Sequence, residues 1–104
     1  MAESIALERT LRGSGGEVAL LQAVADPIRW AVLDTLAREE RCVCDLLLSV
    51  PVAGNLLSYH LKVLREAGLV TTTRRGRRID YALAEDARDR MIGALPGARV
   101  AARA

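Results

Sequence analysis

The stretch Leu57-Ser58-Tyr59-His60-Leu61-Lys62-Val63-Leu64-Arg65-Glu66-Ala67-Gly68-Leu69-Val70 decides how this chain is read. At ~100° per residue, Leu61 and Leu64 fall within about 40° of Leu57, so the three leucines form the apolar stripe of a short helix. Ser58, Lys62 and Arg65 lie on the opposite surface, completed by Asn55, Tyr59 and Glu66, with His60 on the flank. Gly68 ends the helix by taking the left-handed cap. The exposed side offers hydroxyls, an amide and cations, the groups that donate to phosphates and base edges. Any solvated helix carries such residues, so the weight comes from what surrounds this one.

Directly downstream lies Arg74-Arg75-Gly76-Arg77-Arg78, four arginines about one glycine. Segments 70–74 and 77–83 read as β-strands, with Arg75-Gly76 as the tight turn. In the second strand Ile79, Tyr81 and Leu83 alternate with Arg78, Asp80 and Ala82, which predicts one packed face and one solvent face. The formal net charge is only +2, so a nucleic-acid partner is argued from this clustering and not from the whole chain. Arg74, Arg75, Arg77 and Arg78 are expected to contact phosphates, which fixes register and carries little sequence information.

Upstream, Pro51 halts a short helix over residues 45–50, and the reading helix begins near Gly54 or Asn55. Asp26-Pro27 marks another start: the carboxylate accepts from free backbone N–H groups, and proline loses nothing at the first helical position. Ile28, Val32 and Leu36 then mark its buried face. Val18, Leu20, Leu21 and Val24 belong to a further short helix. Residues 4–12, with Ile5, Leu7 and Leu11, form the first, and Gly13-Ser14-Gly15-Gly16 breaks the chain between the two. A last helix is expected from Ala84 or Glu85 to Leu95, closed by Pro96-Gly97. The pattern is mostly α with a small β-hairpin, in one domain of 104 residues. No apolar run approaches the ~18 residues that span a bilayer, and no secretory signal is visible. Two cysteines are too few for a disulfide framework, so a cytoplasmic location with free thiols is expected.

Ala25-Asp26-Pro27-Ile28-Arg29, Cys42-Val43-Cys44-Asp45-Leu46, the Ser58–Val70 run and the arginine hairpin ending Tyr81-Ala82-Leu83 together resemble the ArsR/SmtB family of bacterial metal-sensing repressors. The resemblance covers roughly residues 18 to 90. It implies a winged helix-turn-helix homodimer that holds operator DNA without inducer and releases it on binding one. The helix carrying Asn55, Ser58, Tyr59, His60, Lys62 and Arg65 would read DNA, and the arginine hairpin would be the wing. Residues 1–16 and 84–95 would form the dimerisation helices, and residues 96–104 a frayed tail. Gly54-Asn55-Leu56 departs from the family's small polar run at the start of the reading helix.

Cys42 and Cys44 resemble the family's metal or metalloid site. Thiolates select soft or borderline ions. Residues two apart point about 200° apart on an intact helix but the same way in an extended segment. With Asp45 as the N-cap of the next helix, both thiols would lie before it on one side. Two thiolates suit a linear ion such as Hg(II). As(III) resembles a three-thiolate case, and Cd(II), Pb(II) or Zn(II) would draw a further ligand from Glu39, Glu40 or Asp45, or from Glu3 or Glu8 of the partner subunit. Two alternatives stand beside this: buried cysteines that only fill space, and a regulator that answers to thiol redox state or lacks an inducer site. The last helix has no histidine for the family's other common site. An enzyme is not expected, since no third group orients a Cys–His pair and no phosphate loop or cofactor box is present.

Overall fold

The structure, a computed structural model, describes residues 15–98. The helix expected at residues 4–12, most of the expected arm at 1–16 and the tail from residue 99 lie outside the described residues. Within them run α1 (Gly15–Val24), α2 (Pro27–Leu36), β1 (Arg41–Cys42), α3 (Val43–Ser49), α4 (Gly54–Glu66), β2 (Val70–Arg75), β3 (Arg78–Leu83) and α5 (Ala87–Ala94).

Local signals explain most of the boundaries. Asp26 caps α2: its Oδ1 accepts from the N–H groups of Ile28 at 2.8 Å and Arg29 at 3.1 Å. At the far end of α4, Gly68 has φ +75°. The Gly68 N–H donates to Arg65 O and the Leu69 N–H to Leu64 O, the paired bonds of a Schellman stop. Leu64 and Leu69, which flank that stop, are fully buried together.

Gly15 and Gly16 depart from expectation. They open α1 instead of breaking the chain, because Leu20, Ala23 and Val24 behind them pack into the core and carry the turn into helix. α5 also begins later than expected, at Ala87, after a turn at Glu85-Asp86.

The core gathers Leu20 and Val24 of α1, Val32, Leu33 and Leu36 of α2, Leu46 of α3, and Leu57, Leu61 and Leu64 of α4. All three leucines of the expected α4 stripe are buried to within one per cent. The sheet has order β1-β3-β2 and is antiparallel throughout. Its third strand, β1, has no signature in the sequence, because two residues are too short for an alternating pattern. The helical layer with its projecting hairpin is a winged helix-turn-helix. Among the described residues no single helix is long and apolar enough to cross a membrane.

Candidate nucleic-acid interface

α3 and α4 meet at 107° across the turn at Val50-Pro51-Val52-Ala53, an angle typical of helix-turn-helix pairs. Val50 is buried and Val52 half-buried, so the turn is pinned while α4 presents one side outward. Asn55, Ser58, Tyr59, Lys62 and Arg65 are all exposed on that side. Among the described residues Lys62 is engaged only by Glu66, one turn on, at 3.9 Å. Exposed pairs of this kind contribute little and yield readily to a phosphate.

His60 must be removed from that set. It is only 6% exposed, and it faces the interior between α4 and α2. The Arg29 Nη1 group lies 2.9 Å from its Nδ1. Arg29 also donates from Nε to Ala23 O and from Nη2 to Gln22 O, the last carbonyls of α1. The flank position read from the helical wheel becomes interior once α2 packs against it. The Asp26 carboxylate stands 3.9 Å from the same imidazole nitrogen. The Asp26 carboxyl is held below its ordinary value, chiefly by the Arg29 N–H, against the opposing effect of burial.

In the hairpin, Arg75 stands opposite Arg78 across a two-residue turn, Gly76-Arg77. Gly76 has φ +66° and Arg77 does not share the positive sign, the pattern of a turn with glycine first. The turn is therefore one residue later than expected. The expected alternation of β3 is also corrected. Asp80, assigned to the solvent face, is 4% exposed, while Ile79, assigned to the packed face, is 41% exposed. Two causes act. Ile79 lines an open cleft beside the start of α3 and lies outside the core, which only Tyr81 and Leu83 of its face reach. Asp80 is covered by its own partners: Arg78 grips it with Nε at 3.0 Å and Nη2 at 3.2 Å, and Arg75 Nε lies at 2.9 Å.

The four arginines are consequently not equivalent. Arg75 is further tied to Glu40 at 3.2 Å. Arg74 donates only to Gly76 O, and Arg77 has no partner among the described residues. Arg74 and Arg77 are the cations most available to an outside anion.

Cys42 and Cys44 flank a small cleft of about 300 Å³ lined also by Val43, Arg77, Arg78 and Ile79. Cys42 is half-buried and Cys44 exposed, both as free thiols, so neither is a buried filler. The expected Asp45 cap is not formed. Cys42 itself occupies the N-cap of α3, and Asp45 sits in the first turn with its side chain exposed. Cys42 is extended and Cys44 helical, because pairing of β1 with β3 shifts the helix start two residues upstream. Glu39 lies 3.8 Å from Arg41 and Glu40 is engaged by Arg75. Glu3 and Glu8 lie outside the described residues. Among the described residues no group of three or more His, Cys, Asp or Glu side chains could hold a metal ion. The donors present are thus two soft sulfurs, which fit a two-coordinate thiophilic ion. A larger ligand set needs donors from elsewhere.

Three residues that position these parts were not singled out from sequence. Asp80 had a signal, being the one acid on the same strand face as Arg75 and Arg78. Arg29 appeared only as part of the motif that carries the family resemblance, and Arg90 had no signal. Arg90, on α5, donates to Gly68 O and Ala67 O at 2.9 Å each and so caps α4 from another helix.

Residues 26–72 match the model of the bacterial regulatory protein arsR family. The chain is 42% identical over 77 residues to the HTH-type transcriptional repressor SmtB of Mycobacterium tuberculosis, covering 74% of this chain and 56% of that one. It is 39% identical over 64 residues to the arsenical resistance operon repressor of Staphylococcus xylosus, covering 62% of each. Among solved structures, NolR from Sinorhizobium fredii superimposes with a TM-score of 0.73 at 32% identity, over 83% of this chain and 86% of that one. The chain spans about half the length of the first curated relatives it matches.

Proposed function

We propose that this chain, which belongs to the arsR family of bacterial regulatory proteins, is a dimeric repressor that binds duplex DNA and releases it when Cys42 and Cys44 take a thiophilic metal or metalloid ion. The observation that carries the DNA half is the outward face of α4 next to a hairpin with free cations. Asn55, Ser58, Tyr59, Lys62 and Arg65 are exposed on one side of a helix set at 107° to its predecessor. That helix fits a major groove, where hydroxyl, amide and guanidinium groups meet base edges. Arg74 and Arg77 reach flanking phosphates, and Arg75 and Arg78 stiffen the hairpin that carries them.

The two-sulfur cleft and the names of the SmtB and arsenical repressor relatives support the inducer half. Of the candidate ions, Hg(II) suits the sulfurs alone. As(III), Cd(II), Pb(II) and Zn(II) need donors from a partner subunit or from residues outside those described. Ile92 on α5 and Leu95 beyond it are exposed apolar groups on the last helix, one of the two elements expected to pair two copies. The chain then works in the cytoplasm as a regulator, not as an enzyme.

Retardation of a selected DNA duplex, with and without each ion, tests this reading. Binding that each effective ion abolishes, and that Cys42→Ser/Cys44→Ser makes insensitive, supports it. Release undiminished in the double variant removes the thiol site, and release by a disulfide oxidant alone replaces metal with redox sensing.

A further inference from the structure

The thiols sit against the hairpin. Cys42 pairs directly with Asp80 in the β1–β3 ladder, and Thr73 pairs with Asp80 from the other side. Asp80 in turn holds Arg75 and Arg78. Arg78 is thus shared: it grips Asp80 and also lines the cleft that contains Cys42 and Cys44, with Arg77 beside it. By contrast, Val50 and the turn to residue 53 separate the cysteines from α4. β1 is a weak element. It is two residues long, and it carries the only buried side-chain nitrogen or oxygen without a partner among the described residues, Arg41 Nε.

We propose that an ion held by Cys42 and Cys44 acts first on the arginine hairpin, through β1 and the Arg78–Asp80 ion pair, before it acts on α4. This rests on the reading of the two cysteines as the inducer site. In the ladder, Cys42 is extended, whereas Cys44 already belongs to the helix. An ion that takes both sulfurs from the cleft they share bridges this boundary, and drawing them together pulls on it. Cys42 is the end of that segment that is bonded to β3. Its displacement disturbs Asp80, and the Asp80 carboxylate loses the geometry that fixes Arg75 and Arg78. The hairpin then no longer presents Arg74 and Arg77 to phosphates in register. The first loss is of backbone contacts, which carry the salt dependence of binding.

Hg(II) is a suitable probe, because the chain has only two cysteines and thiolate-to-metal absorption reports their occupation. With one equivalent of Hg(II) per subunit, the slope of log affinity against log salt should flatten by about 3.6, the contribution of two phosphate contacts from each subunit of the dimer. Affinity should fall by roughly 5- to 150-fold, the usual range of an effector coupling. In Asp80→Asn, Hg(II) uptake should be unchanged while the fall shrinks below about threefold, as coupling through the ion pair is lost. The slope measurement on the unsubstituted protein stands even where Asp80→Asn folds poorly. Undiminished release with an unchanged slope would overturn the hairpin route and place the signal in the helices. Hg(II) uptake with no release at all would instead overturn the inducer reading itself, and this inference with it.

Discussion

Arg29 Nη1 and His60 Nδ1 are 2.9 Å apart, and this contact ties α2 to the inner face of α4. A guanidinium has only protons to offer, so Nδ1 is the acceptor in this contact. The same guanidinium binds the last carbonyls of α1. One side chain of α2 therefore joins the end of α1 to the inner face of α4. The pose of the candidate reading helix depends on a residue that touches no expected ligand.

Arg29→Ala should lower stability by about 1.5–3 kcal/mol, the range for hydrogen bonds to charged groups, as read from urea unfolding. His60→Gln keeps an acceptor oxygen and should restore part of what His60→Leu loses. Equal losses in the two His60 variants would mean that the Arg29 contact is not what His60 contributes.

Asp26→Ala should cost about 1 kcal/mol at neutral pH as the α2 cap is lost. The Asp26 carboxyl titrates below its ordinary value of 3.8 in the folded chain. Above that value both folded and unfolded forms are ionised and the cap contributes fully. Between the two values only the unfolded form takes up a proton, so stability falls with pH and the contribution is lost below the folded value. The gap between parent and variant should narrow on acidification through this window. A gap constant from neutrality to pH ~3 would contradict the assignment of Asp26 as the titrating cap.

Gly68→Ala should be more costly than an ordinary surface change. The position has φ +75°, and an added Cβ would lie 2.9 Å from Arg90 Nη1. The left-handed backbone alone costs a side chain about 1–2 kcal/mol. Displacing Arg90 also frees two carbonyls at the end of α4. A melting temperature within a degree or so of the parent would show that α4 does not depend on this stop.

Among the hairpin arginines the effects should separate. Arg77→Ala should flatten the salt slope of DNA binding by about 1.8, one phosphate for each subunit of the dimer, with folding unchanged. Arg75 is held by Asp80 and Glu40, so Arg75→Ala should loosen the hairpin itself, seen as faster amide exchange in β2 and β3. Identical slopes and identical exchange in the two variants would refute this division.

What the sequence makes legible here is local. Leu57, Leu61 and Leu64 announce a helix face by spacing, and Asp26-Pro27 and Gly68 announce ends by their own backbone chemistry. The family itself is legible in the run from Ser58 to Val70 and its flanking motifs. What stays hidden depends on partners distant in the chain. His60 turns inward because Arg29, 31 residues earlier, meets it. Asp80 is buried by arginines across a turn, and Cys42 stands at the N-cap position of α3 where β3 pairs with it from nearly forty residues away. A helical wheel or an alternation pattern treats an element alone, so it cannot register these contacts.

The most direct test is an amide chemical-shift titration of the protein with a DNA duplex enriched for binding to it. Perturbations should concentrate in residues 54–66 and 73–79, with the hairpin part lost first as salt rises. Perturbations confined to α1 and α5, with α4 and the hairpin silent, would contradict the assignment of the interface.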